Sequence, residues 1–336
     1  MRARPIAVLA MAPALTPDLF TPEHHARLAT LALLPDPQPL TRFDDARAAT
    51  LLARAEVLLT SWGSPRIDAA ALARAPRLAA IIHAAGTVKG HVDPCCFERG
   101  IRVSSAAAAN AIPVAEFALA AILLAGKRAF RLQRRYAEVR NYRLWWNEVP
   151  PIGNYRKVVG VVGASRIGRL VMQHLRAFEF SVLVADPYLS AEEAAQCGAE
   201  KTELDGLLRR SDVVSLHAPS LPETRHLLDA RRLALLRDGA VLVNTARGAL
   251  VDGDALRAEL VAGRIDAVID TTDPEILAAD SPLYDLPNVF LTPHIAGAMG
   301  TETQRMATLA LDEIERFAKG EPLAHEIRLE DLARIA

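Results

Sequence analysis

The sequence predicts an α/β protein of two domains, each a parallel sheet with helices on its faces. Short apolar runs recur along the chain, helix-like stretches separate them, and the rhythm breaks near residue 105. At 336 residues the chain is too long for one ordinary core. Its 51% hydrophobic content and net charge of −1 describe a globular chain rather than a disordered one.

The first series of strands is expected at 6–9, 57–60, 78–82 and 101–103. The start, Met1-Arg2-Ala3-Arg4 and then 6–15, superficially resembles a signal peptide. Pro13 interrupts its short apolar core and no clear cleavage site follows, so a first strand is the better reading. Residues 104–110 are small and featureless and suit a hinge. Pro113 then opens a helix through about Arg128, with Glu116 in its first turn to complement the dipole. The longest apolar stretch, 114–125, contains Glu116 and is too short to span a bilayer, so no membrane segment is expected. The segment 131–153 is rich in arginine and aromatics, holds Trp145 and Trp146, and ends in Pro150-Pro151 as an excursion from the α/β rhythm.

A second series is expected at 158–162, 181–185, 213–216, 240–244, 267–269 and 289–291, the size of a doubly wound dinucleotide-binding domain. After Gly297 a helix over 303–319 returns the chain towards the first domain. Arginine is scattered and balanced by acids, which argues against a nucleic-acid surface. Cys95, Cys96 and Cys197 are odd in number and lack metal-ligand spacing. They read as reduced thiols of a cytoplasmic protein, and no metal is expected.

Two constellations carry chemistry. The run 158–168 is an apolar strand entering a turn and a helix, with Gly163 and Gly168 at the first and third glycines of G-x-G-x-x-G. Ser165 stands at the second; it costs clearance but adds a hydroxyl, and Arg166 adds charge. Asp186 ends a strand about 20 residues on, where a ribose diol would be held. It repels a 2′-phosphate, and no arginine follows in Pro187-Tyr188, so NAD is favoured over NADP. The second constellation is Asn244-Thr245-Ala246-Arg247-Gly248, then Asp270 and Glu275, then Thr292-Pro293-His294-Ile295-Ala296-Gly297. A guanidinium can clamp a carboxylate through two parallel hydrogen bonds. An imidazole can pass a proton near neutral pH, and a nearby carboxylate can hold it charged. That equips a site to reduce a 2-oxo acid if a hydride donor binds beside it. Blander readings exist for each residue alone: a surface ion pair for Arg247, a helix cap for Glu275, a structural strand-end histidine for His294, packing for His217. Tyr142, Trp145 and Trp146 suit an interface or core.

In this order, with Ser215-Leu216-His217-Ala218-Pro219 between, the motifs resemble the D-isomer-specific 2-hydroxyacid dehydrogenases. The resemblance is dense from about residue 99 to 300. It implies a Rossmann-type NAD-binding domain, 106–297, inserted into a flavodoxin-like substrate domain made of 1–105 and 298–336, with a dimerisation arm at about 131–153. It implies that Arg247 grips the substrate's carboxylate and carbonyl oxygen, that His294 is the acid/base, and that Glu275 is its partner. The cofactor set it implies is Gly163, Ser165, Arg166, Ile167, Asp186, Pro187, His217, Ala218, Pro219, Thr224, Thr245, Ala246, Arg247, Asp270, His294, Ala296 and Gly297. Ala85, Gly86, Thr87 and Lys89 fall in the loop where the family receives the substrate carboxylate. The expected partners are a small 2-oxo or 2-hydroxy acid, NAD(H) and a second copy of the chain. The departures are Ser165 and Thr271-Thr272-Asp273, where the family's wording is apolar and then acidic. Phosphite- or formate-oxidising relatives, and an NAD-sensing corepressor-type scaffold, remain as alternatives. Glu275 disfavours the formate enzymes, which usually lack the acidic partner.

Overall fold

The computed structural model describes residues 4–141 and 152–333. The chain divides into two units: Met1–Ala111 with Ala298–Ile335, and Ile112–Gly297. In chain order the strands among the described residues are β1 (Ala7–Ala10), β2 (Val57–Thr60), β3 (Ala80–His83), β4 (Arg102–Ser105), β5 (Val158–Val162), β6 (Ser181–Ala185), β7 (Glu200–Lys201), β8 (Val213–Leu216), β9 (Val241–Asn244), β10 (Asp266–Ile269), β11 (Val289–Leu291) and β12 (Glu326–Ile327). The expected runs are all strands, shifted by one or two residues at some ends.

In the first unit the sheet order is β1-β2-β3-β4-β12. The first four strands are parallel; β12 pairs antiparallel, Ile327 opposite Val103. Outside β1 runs a segment that only bridges it, Leu33 to Ile6 and Leu40 to Ala10. Pro35, Pro37 and Pro39 lie between and have no N–H to donate, so no continuous ladder forms. Counting that interrupted edge, the order is flavodoxin-like, 2-1-3-4-5. Alternation along β1 sends Ala7 and Leu9 into the core shared with the helix Thr303–Lys319 and sends Val8 and Ala10 into the core on the other face. That helix spans the expected range.

The second unit has an all-parallel sheet, order β11-β10-β9-β8-β5-β6-β7. It is the doubly wound Rossmann arrangement, with β7 a two-residue edge strand that the apolar pattern does not mark. The order reverses between β5 and β8, and the carboxyl ends of those strands form the crevice where such folds bind ligands. Period-2 alternation again fills two cores: Ala267 and Ile269 on one face, Val268 on the other.

Three expectations between the series need correction. Residues 104–110 are not a hinge: 104–105 end β4, and a helix runs Ala107–Gly126 through Pro113. The alanines at 107–109 favour helix strongly enough to start it a turn and a half early. Burial of Ala115, Ala118, Ala121, Ile122 and Ala125 in the second unit's core then holds the rest. Glu116 consequently lies on the helix's exposed face and not in its first turn. The helix is also longer than the apolar run suggests. At 20 residues and a mean hydropathy of 1.8 it is long and apolar enough to cross a membrane, with 44% of that stretch buried in this protein. The front of the 131–153 excursion lies in a helix, Ala129–Val139, and Phe130 stacks on Phe290 at 3.9 Å. Tyr142, Trp145 and Trp146 lie outside the described residues.

Candidate active site and cofactor turn

The cofactor turn is built at the end of β5. Gly163 has φ +94°, and a Cβ there would lie 2.6 Å from the Ala218 nitrogen. A Cβ at Gly168 would collide with the carbonyl oxygen of Gly163. Both positions therefore demand glycine, the first for backbone conformation and both for close approach. Ser165 does not. It holds φ −60° and ψ 176° as the N-cap of the helix Arg166–Leu175, and its hydroxyl accepts from the Gly168 N–H at 3.3 Å. The substitution thus supplies an acceptor to the helix, rather than the donor expected from sequence. Arg166, exposed at the first helical position, makes no ion pair among the described residues, although a cation there opposes the helix dipole. An anion at that helix terminus would satisfy it. Ile167 is half-buried in the core beneath.

Asp186 reaches back to the same turn. Its carboxylate accepts from Ala164 N–H at 2.7 Å and Tyr188 N–H at 2.8 Å, and lone pairs remain for a diol. Pro187 beside it is exposed. Opposite, at the end of β8, the His217 ring is buried and bonded to Ser215 Oγ at 2.8 Å; burial pushes its pKa down to about 3. His217 is therefore a neutral packing residue, and only its backbone borders the turn with Ala218. Pro219 and Thr224 form one loop, in which the Thr224 hydroxyl donates to Pro219 O at 2.7 Å. Thr245, after β9, is buried with no partner for its hydroxyl among the described residues. The glycine cradle, the Asp186 carboxylate and this orphaned hydroxyl fit a dinucleotide.

Arg247 follows at the end of β9. The Asn244 side chain clasps the turn, Oδ1 accepting from Ala246 N–H at 3.1 Å and Nδ2 donating to Arg247 O at 3.0 Å. The half-buried guanidinium donates to Ala246 O at 2.7 Å and has no carboxylate partner among the described residues. After β10, Asp270 is buried and accepts from three donors: Thr292 Oγ1 at 2.5 Å, Ile295 N–H at 2.9 Å and Ala296 N–H at 2.9 Å. Its own carbonyl accepts from His294 N–H at 2.9 Å. The Asp270 carboxylate therefore builds the loop that carries His294, Ala296 and Gly297. His294 takes φ +55°, a left-handed conformation that costs a non-glycine residue about 1 kcal/mol and persists because those bonds over-determine it. Its Nδ1 lies 2.5 Å from Glu275 Oε1, so Nε2 is the ring nitrogen left to act outward.

In the first unit the expected substrate loop leaves the carboxyl end of β3. Ala85 is buried, Gly86 and Thr87 are half-buried and Lys89 is exposed. Beneath lies a cluster that the sequence did not flag. The His83 and His91 rings are 4.3 Å apart, and Thr60 Oγ1 bonds His83 Nδ1 at 2.9 Å. Burial pushes His83 well below the ordinary histidine range and His91 to about 4. A strand-end histidine among apolar residues gives no periodic signal, so spacing alone could not find this pair.

The NAD binding domain of the D-isomer specific 2-hydroxyacid dehydrogenases matches residues 119–296. D-3-phosphoglycerate dehydrogenase of Mycobacterium tuberculosis is 37% identical over 297 residues, covering 86% of this chain and 54% of that protein. Glyoxylate reductase of Aeropyrum pernix is 35% identical over 260 residues, 76% of this chain and 78% of that protein. The crystal structure of Aquifex aeolicus D-lactate dehydrogenase complexed with NAD and lactic acid superimposes with a TM-score of 0.69 at 28% identity, covering 94% of this chain and 96% of that one. The chain belongs to the D-isomer-specific 2-hydroxyacid dehydrogenase family. It spans about half the length of the phosphoglycerate dehydrogenases that it matches.

Proposed function

We propose that the chain is an NAD(H)-dependent oxidoreductase that interconverts a 2-oxo acid and a D-2-hydroxy acid. The observation that carries this reading is the His294–Glu275 pair at 2.5 Å, on a loop locked by Asp270, in the same unit as an Arg247 guanidinium with no carboxylate partner. Reduced NAD, when bound, supplies the hydride that the substrate's carbonyl carbon accepts. Negative charge then grows on the carbonyl oxygen. Arg247 is suited to meet it, and to fix the neighbouring carboxylate, through parallel N–H groups. His294 Nε2 gives that oxygen a proton, while Glu275 at Nδ1 favours the charged imidazolium beforehand. Gly163, Ser165, Arg166 and Asp186 would hold the pyrophosphate and adenosine ribose, and the Asp186 carboxylate favours NADH over NADPH.

The loop of Ala85, Gly86, Thr87 and Lys89 is the proposed receiver of the substrate carboxylate. Gly86 and Thr87 support this, since their N–H groups have no acceptor among the described residues. The same reading takes residues 1–105 and 298–336 as the substrate domain and 106–297 as the cofactor domain. It takes the enzyme as a cytoplasmic homodimer joined through the 131–153 arm, which sedimentation of the purified chain would check.

A spectrophotometric panel tests the activity: glyoxylate, hydroxypyruvate and phenylpyruvate, each with NADH and with NADPH. At least one 2-oxo acid should consume NADH, and His294→Ala should cut that turnover about 10²- to 10⁴-fold while NADH binding barely changes. NADH binding without turnover on any 2-oxo acid would favour the corepressor-type scaffold instead.

A further inference from the structure

A cavity of about 440 Å³ lies in the second unit beside the carboxyl ends of β9 and β10, within the roughly 300–1,000 Å³ span of small-molecule pockets. Arg247, Glu275 and His294 do not line it, nor do the residues of the glycine turn. Val251, Leu256, Ile269, Leu277 and Leu283 make its walls apolar. Within it is one buried polar group that nothing in the fold uses. Thr271 is 1% exposed, and its hydroxyl has no hydrogen-bond partner among the described residues. Strand alternation puts Thr271 on the face of Ile269, towards the cavity. Thr271 and Thr272 occupy positions where the resemblance leads one to expect apolar side chains. Threonines there leave space and a hydroxyl that a bound molecule could satisfy.

The rim sets the sign of charge that the cavity accepts. Asp273 and Asp280 stand there, and Asp280 makes no ion pair among the described residues. Arg257 is held by Asp254 at 2.9 Å, and Asp273 is shared with Arg225 at 3.3 Å. An anion entering past these carboxylates would be repelled, which separates this cavity from any site for a 2-oxo acid.

We infer that this cavity is a second ligand site, for a compact, mainly apolar molecule carrying one uncharged hydrogen-bonding group, such as an alcohol or a primary amide. One wall, through Asp273, Pro274 and Leu277, is the segment that carries Glu275. Occupancy therefore fixes Glu275 and tunes the proton on His294. That coupling rests on the catalytic reading of the pair; the binding does not.

Benzyl alcohol, toluene and benzoate share one body and differ in the polar group. They are titrated into the full chain while the methyl resonances of Ile269 and Leu283 are followed by NMR. Benzyl alcohol and toluene should shift those methyls, with benzoate at least tenfold weaker. Thr271→Val should weaken benzyl alcohol about tenfold and leave toluene unchanged. Thr272→Phe, which fills the space, should abolish both; if it does not fold, the Thr271→Val comparison decides. Unmoved methyls, equal binding of benzoate, or an unchanged benzyl alcohol affinity in Thr271→Val would overturn the site. If benzyl alcohol binds but leaves the pH dependence of 2-oxo-acid reduction unmoved, the coupling falls and the site stands. If no 2-oxo acid turns over, the catalytic reading fails and the methyl shifts still decide the binding.

Discussion

At the scale of single residues, the site depends on which carboxylates are occupied by backbone and which still have work to do. Asp270 is saturated by the loop that it folds, whereas Glu275 is exposed and meets only the imidazole and its own segment. Removing the Glu275 charge withdraws support for protonated His294, so Glu275→Gln should move the descending limb of the reductive pH–rate profile to lower pH. A limb that stays in place would remove Glu275 from this role. Asp186 is intermediate, holding Ala164 and Tyr188 N–H groups with lone pairs to spare. Asp186→Ala should weaken NADH roughly tenfold or more by fluorescence titration, and NADPH much less. Equal losses would reduce Asp186 to a brace for the turn. Arg247, Glu275 and His294 were legible in the sequence because each stands in a short phrase of turn-forming residues at a strand end. The roles of Asp270 and Thr271 were not, because a saturated carboxylate and an orphaned hydroxyl look alike in one dimension.

Among elements, the strand–turn–helix at 158–175 separates what the glycine fingerprint needs from what it tolerates. Gly163 and Gly168 are dictated by backbone clearance, and the second position is an N-cap. Ser165→Ala should therefore destabilise the chain by about 1 kcal/mol, and Ser165→Gly by only a few tenths, in urea denaturation. The reverse order would mean that clearance, not capping, governs position 165. Strand positions were readable from β-branched runs, but two kinds of element escaped. The two-residue strands β7 and β12 are too short for periodicity and exist only because a neighbouring edge offers hydrogen bonds. The start of the helix at Ala107 escaped because proline is locally a helix opener, while core burial carried this helix through it.

Across the whole molecule, three histidines are buried neutral: His83 and His91 under the loop after β3, and His217 under the cofactor turn. Burial lowers each folded pKa below the unfolded value, with His91 at about 4 and His217 at about 3. The unfolded chain therefore binds more protons as pH falls below about 6.5. Their contribution is complete above that pH and is lost as pH drops through the folded values, at up to about 1.4 kcal/mol per pH unit for each histidine. Urea denaturation between pH 7 and 4.5 should show this acid slope, and His91→Gln should flatten it. Identical slopes would place the acid sensitivity elsewhere.

The sequence by itself determined the α/β class, the two strand series, the dinucleotide turn and the chemical identity of the candidate catalytic groups. Each of these depends on local periodicity or on residues that must be near one another in the chain. Only the tertiary structure decided that Glu275 reaches His294 Nδ1, that Asp270 is used up in holding their loop, that His217 is core, and that a cavity lies beneath Thr271. Those facts belong to atoms brought together across strand ends, where burial and hydrogen-bond partners are set by packing and leave no periodic mark on the chain.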